Sequence, residues 1–155
     1  MKINFPFNFQ LRVYFSCLEK REGACSKIFG QNDQHIALWD FDDSDLTTIK
    51  SSLRLIQLWY KLPKIYIVSS SHERYHAYSF TARSLREVIN IISATPEIDT
   101  KYLRLGMVRG YYTLRISPRK NDSIKLVEIL PSYMPDEVSP LDISINEYLT
   151  QNKGV

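Results

Sequence analysis

Glycine and proline are scarce, five and seven among 155 residues, which argues against a low-complexity or collagen-like chain and leaves most of the sequence for regular structure. Cysteine is scarcer still. Cys17 and Cys25 are the only two, too few for a disulfide framework, so a cytoplasmic location is expected. Together with His35 they match no zinc-ligand spacing, and a fourth ligand is missing. No apolar run approaches the roughly 18 to 20 residues that a membrane span needs. Met1 to Phe9 is interrupted by Asn4, Pro6 and Asn8 and carries only Lys2 as charge, so no signal peptide is expected. What is present is ordinary for a globular domain with a sizeable core: 44% hydrophobic, 24% charged, net charge +3.

The charge is unevenly spread. Residues 101–120 hold Lys101, Arg104, Arg109, Arg115, Arg119 and Lys120 with no acid. From 121 onward, Asp122, Glu128, Asp136, Glu137, Asp142 and Glu147 face only Lys125 and Lys153. A basic stretch before an acidic tail suits an anionic ligand such as nucleic acid; a solvated basic hairpin explains it equally well.

Hydrophobic periodicity sets the expected elements. Residues 7–15 alternate with period two and predict a strand. Residues 17–34 show no period and read as a loop, with room for a short helix. His35 to Phe41 is mostly apolar and predicts a central strand. Leu46, Ile49, Leu53, Ile56 and Tyr60 form one helical face, capped by Asp43 or Ser44 and ended by Pro63. A hairpin is expected from 64–69 and 73–80, then a helix opening at Thr81 with Leu85, Val88, Ile89 and Ile92 inward. Strands are expected at 103–108, 111–117 and 123–130, with a turn at Asn121-Asp122. The order predicts one α/β (α+β) domain over 1–130, with a mixed, largely antiparallel sheet and helices on one face. Residues 131–155 read as an acidic tail ending in a short helix near Ile145 to Thr150.

The chemistry-bearing residues fall at strand ends. Asp40 and Asp42 are two apart, so in a strand both point to the same face and repel unless a cation neutralises them. Mg²⁺ or Mn²⁺ does so with one or two carboxylates plus substrate phosphates; helix capping explains Asp43 but not Asp40. His76 shares a strand face with Arg74 and Tyr78. Arg115 and Ser117 share another, where a guanidinium fork can grip phosphate oxygens and a cross-strand ion pair is the plainer reading. Asp99 lies between helix and strand and is by itself only a loop acid.

Taken in order, these pieces resemble the archaeo-eukaryotic primase superfamily, the primase-polymerases of archaea, plasmids and viruses. Leu38-Trp39-Asp40-Phe41-Asp42 is similar to its metal-binding acidic pair. Ser69-Ser70-Ser71-His72-Glu73-Arg74-Tyr75-His76-Ala77-Tyr78 is similar to its serine/glycine turn and nucleotide-contacting histidine. Ile98-Asp99 is similar to its third metal carboxylate, and Leu114-Arg115-Ile116-Ser117 to its phosphate-meeting strand. The likeness spans about residues 35–120. It departs at Arg74, where the family usually has a small hydroxyl residue, and in the glycine-free turn. The resemblance implies nucleotidyl transfer from nucleoside triphosphates on a DNA or RNA template. Catalytic and metal roles fall to Asp40, Asp42 and Asp99 with Mg²⁺ or Mn²⁺. Nucleotide contacts fall to Ser70, Ser71, His76, Arg115, Ser117 and Lys120. For the template, Arg104, Arg109, Tyr111 and Arg119 are expected, and a helicase or other replication protein is the expected partner. Two alternatives stand beside it. One is a non-catalytic nucleic-acid-binding protein on the same fold. The other is a haloacid-dehalogenase-type phosphatase, which Asp40-Phe41-Asp42-Asp43-Ser44 also resembles, although the paired downstream aspartates of such enzymes are missing. A doubly wound parallel sheet is what that alternative implies.

Overall fold

The computed structural model describes residues 2–4, 10–12, 18–42, 44–71, 74–117 and 123–151. The apolar run at its centre forms β4 (Gln34–Asp42), flanked by β6 (Arg74–Ser84), β5 (Ile65–Ser71) and the edge strand β8 (Lys125–Leu130). On the other side β4 meets β3 (Leu18–Ile28) in register at Lys27↔His35. β3 also carries β7 (Thr113–Arg115) and β9 (Ile143–Gln151). The result is an α+β fold with a seven-stranded sheet, in which every described strand pair is antiparallel. A separate pair, β1 (Lys2–Asn4) with β2 (Gln10–Arg12), is also antiparallel.

Side-chain alternation gives the main half of the sheet two unlike faces. Ala37, Trp39, Phe41, Ile65, Ile67 and Ala77 are fully buried. They form one core cluster with Ile49, Leu53 and Ile56 of α1 (Leu46–Trp59) and Val88, Ile91 and Ile92 of α2 (Leu85–Ser93). Polar ties fix both helices to this face. Trp39 Nε1 donates to Thr95 Oγ1 just beyond α2 at 2.9 Å, and Lys50 of α1 pairs with Glu128 of β8 at 2.9 Å. The third helix, α3 (Thr100–Arg109), is tied to β4 by two hydrogen bonds: Tyr102 Oη donates to Leu38 O at 3.1 Å, and the Asp99 N–H just before the helix donates to Asp40 O at 3.2 Å.

The helix starts follow capping rules. Asp45, rather than Asp43 or Ser44, caps α1, accepting from the Thr47 and Thr48 N–H groups at 2.9 and 3.0 Å. Asp43 lies outside the described residues. α2 begins after Ser84, not at Thr81, because β6 continues to Ser84 in register with β4. Ser84 and Glu87 form a reciprocal capping box. Replacing Ser84 with Ala is expected to lower stability by about 1 kcal/mol, measurable as a shift in the urea midpoint at unchanged slope.

Three expectations are corrected. Residues 17–34 hold the long strand β3, stabilised by pairing with β9 from Leu18↔Gln151 to Ile28↔Ile143. Residues 103–108 are helical, within α3, because Asp99 caps the start and Gly110, at φ +75°, closes the end in the left-handed region. The tail does not end in a helix: 143–151 is β9, an integral strand of the sheet. Of the strand expected at 7–15, only Gln10–Arg12 is described, and the turn at Asn121-Asp122 lies outside the described residues. No helix among the described residues is long and apolar enough to cross a membrane.

Candidate active site

The sheet face opposite Trp39 carries the acids. Asp40 and Asp42 alternate with Trp39 and Phe41 on β4, and antiparallel pairing sets Asp40 directly across from His76 and Asp42 across from Arg74. His76 Nε2 lies 3.5 Å from Asp40 Oδ1, and Arg74 Nε lies 3.5 Å from Asp42 Oδ1. The Asp40–His76 row is the more buried: the side chains are 26% and 7% exposed, against 39% and 40% for Asp42 and Arg74.

A second basic group enters from β7. The Arg115 guanidinium donates to Ser117 O at 2.6 Å and, across to β5, to Ser70 O at 3.0 Å. Ser70 can receive it because the β5–β6 register shifts between Ser69 and Ser71, so Ser70 is an extra residue in the ladder. The Ser70 hydroxyl turns to Arg74 O at 3.5 Å. Two main-chain acceptors thus hold a planar cation at the site, and its field, with that of Arg74, reaches Asp40.

These neighbours decide the charge of Asp40. Burial pushes its carboxyl up to about 7, and the negative fields of Asp42 and Asp99 push the same way, while Arg74 and Arg115 pull down. Near neutral pH the acid is therefore poised between its two forms, and a cation held with Asp42 would displace its proton.

Asp99 is brought close but is otherwise engaged. Its carboxylate accepts the Lys101 N–H at 2.8 Å as the cap of α3, while its own N–H ties the helix to Asp40 O. Next to it a cavity of about 390 Å³ opens between Asp42, Ser44, Glu97, Ile98, Asp99 and Lys101. Among the described residues no group of three or more His, Cys, Asp or Glu gathers as a metal cage. The donor set that remains, two carboxylates on one face, fits a hard divalent ion that keeps water and substrate oxygens in its shell, such as Mg²⁺ or Mn²⁺.

The other expected residues divide. Ser71 lies half-buried opposite Arg74. Ser117 is structural: its carbonyl holds Arg115 and its hydroxyl accepts the Glu22 N–H at 3.2 Å. Arg104 and Arg109 are exposed on α3. Tyr111 lies beneath Lys27, with Nζ 5.1 Å from the ring centroid. That pair adjoins the Lys27↔His35 junction, five residues back along β4 from Asp40 and so about 16 Å away at strand rise. Arg119 and Lys120 lie outside the described residues. Arg74 was missing from the expected site, although strand alternation already gave it the face of His76. The buried Ser26 Oγ to His35 Nδ1 contact at 2.9 Å resembles a nucleophile and its base, but Ser26 is fully buried and also accepts the Tyr112 N–H, so it is a core tie.

Comparison with protein-family models, curated proteins and solved structures finds no match for this chain.

Proposed function

We propose that this protein carries out metal-dependent nucleotidyl transfer, joining nucleoside triphosphates to a nucleic-acid strand on a template in the manner of a DNA primase or polymerase. The observation that carries this reading is the double cross-strand row, Asp40 facing His76 and Asp42 facing Arg74, with Arg115 fixed by Ser70 and Ser117 near enough for its field to reach Asp40. Paired carboxylates beside fixed cations suit phosphoryl chemistry, which asks the protein chiefly for positioning and charge neutralisation. The exclusively antiparallel pairing of the described strands also departs from the doubly wound parallel sheet that the phosphatase alternative implies.

In this reading Asp40 and Asp42 hold Mg²⁺ or Mn²⁺, which when bound neutralises the triphosphate and activates the attacking 3′-hydroxyl. His76 donates a hydrogen bond from its buried ring to a phosphate oxygen. Arg115 presents its guanidinium without having to be ordered on binding, because Ser70 O and Ser117 O already hold it. Asp99 acts as a positioning residue through the main chain of Asp40. Arg104 and Arg109, exposed on α3, serve the template backbone, with Tyr111 beyond them; a helicase or other replication protein is the fitting partner.

Extension of a labelled primer with Mn²⁺ or Mg²⁺, on a template and without one, tests the proposal; absence of incorporation with both metals overturns it. The basic groups should separate in binding. Arg115→Ala is expected to weaken nucleoside-triphosphate binding about tenfold with DNA affinity unchanged at fixed salt. Arg109→Ala should leave the nucleotide alone and reduce the salt slope of DNA binding by about one or less. Equal effects of both substitutions on both ligands would point to one undivided basic surface.

A further inference from the structure

We propose that Arg74 is a phosphate-binding residue that the metal-free protein keeps on Asp42 and releases to the triphosphate when a divalent cation takes that carboxylate. The inference rests on the nucleotide-site reading above and adds a ligand contact to it.

Arg74 stands on β6 two residues before His76, so both side chains leave the same face of the strand. Its pairing partner is Asp42, two residues beyond Asp40. The contact between them is long, 3.5 Å through Nε, and both side chains are about 40% exposed. An exposed pair of this kind contributes little to stability, so little energy opposes turning the guanidinium elsewhere. Arg115 is the opposite case, half-buried and held by two carbonyls. The site thus has one fixed and one swinging guanidinium, on different strands, and the fields of both reach Asp40.

Charge explains what the swinging group is for. Two charged carboxylates on a partly buried face repel each other and favour nearby cations. Without metal, Arg74 covers Asp42 and His76 stands against Asp40. With metal, the carboxylates are neutralised and Arg74 loses its partner. A triphosphate carries more negative charge than one divalent ion cancels, and the freed guanidinium offers it a planar, multiply donating fork. Arg74 therefore opposes metal alone and favours metal together with polyphosphate, and by linkage the two ligands bind cooperatively.

Calorimetric titration of the full chain with Mn²⁺ alone, and with inorganic tripolyphosphate in the presence of saturating Mn²⁺, reads both halves without requiring catalysis. Arg74→Ala is expected to bind Mn²⁺ several-fold more tightly and tripolyphosphate about tenfold more weakly, and Arg74→Lys to recover part of the second effect. Arg86→Ala, on the exposed part of α2, should change neither. Thermal melting of each variant checks the fold, and Arg74→Gln replaces Arg74→Ala if the smaller side chain destabilises β6. Unchanged tripolyphosphate binding in a folded Arg74 variant overturns the inference and leaves the nucleotide reading standing. Failure of the parent protein to bind tripolyphosphate with Mn²⁺ overturns both.

Discussion

Asp40→Asn should abolish primer extension and, in the metal-free protein at pH 8, raise the melting temperature. The Asp40 carboxyl is pushed up to about 7, first by burial and then by the negative fields of Asp42 and Asp99. In an unfolded chain the same group titrates near its ordinary value of 3.8. Between those values the folded protein holds a proton that the unfolded chain has lost, so stability falls as pH rises through that window. Asparagine keeps the shape and never acquires the charge. The variant should therefore match the parent at pH 4, gain on it progressively up to pH 7, and keep a constant advantage above. A full shift of this size corresponds to about 4 kcal/mol. With the side chain 26% exposed, solvent screening reduces the expected gain to about 1–2 kcal/mol, or roughly 3–6 °C. On the proposed function, activity should move the other way, by about 10³-fold, because the variant would lose a metal ligand. Mn²⁺ should raise the melting temperature of the parent at pH 8 and leave the variant almost unmoved. A variant less stable than its parent at pH 8 would make Asp40 a structural acid and remove its role as a ligand.

The residues at the centre of the site were legible because they obey the simplest rule in the sequence. Asp40 and Asp42, and His76 with Arg74, are spaced by two in segments that alternate plainly, and the facing of the two pairs follows once β4 and β6 lie antiparallel in that register. What remained illegible depends on partners far along the chain. β3, with Lys20, Arg21, Glu22 and Gly23 in its middle, has no strand signature of its own; pairing with β9 makes it one. β9 pairs with a segment more than a hundred residues earlier, so local propensity could not reveal it. Asp99 shows the limit of motif reading: its position beside Asp40 was anticipated, yet its carboxylate caps α3. α3 covers the strand expected at 103–108, where Leu103, Leu105 and Met107 alternate with Arg104 and Gly106 and a glycine lowers helix propensity.

That glycine explains itself in packing, and replacing it should have the largest effect on stability. A Cβ on Gly106 would overlap Cε1 and Cδ1 of Tyr112 far inside contact distance. Alanine favours helix over glycine by about 1 kcal/mol, but the ring has nowhere to go. Tyr112 is 1% exposed. Its backbone is bound to Ser26 by two hydrogen bonds, at 2.8 Å from the Ser26 N–H and 3.0 Å to the Ser26 hydroxyl. Its ring stacks at a tilt on Tyr102, 5.1 Å between centroids, and its hydroxyl donates to Leu103 O at 3.4 Å. The helix must therefore shift, and α3 carries both ties to β4, Tyr102 to Leu38 O and the Asp99 N–H to Asp40 O. Gly106→Ala is expected to destabilise the fold by about 2–4 kcal/mol, lowering the melting temperature by roughly 5–15 °C. On the proposed function, it should also weaken metal binding at Asp40 while α3 is displaced. Val108→Ala, on the same helix but 86% exposed, should change stability by less than about 0.5 kcal/mol. Shrinking the obstacle provides the decisive comparison. Tyr112→Leu alone opens a cavity and destabilises, yet in the Gly106→Ala background it should recover part of the loss, giving a favourable coupling of about 1 kcal/mol or more. Simple additivity of the two substitutions would mean that α3 does not seat on Tyr112 through Gly106.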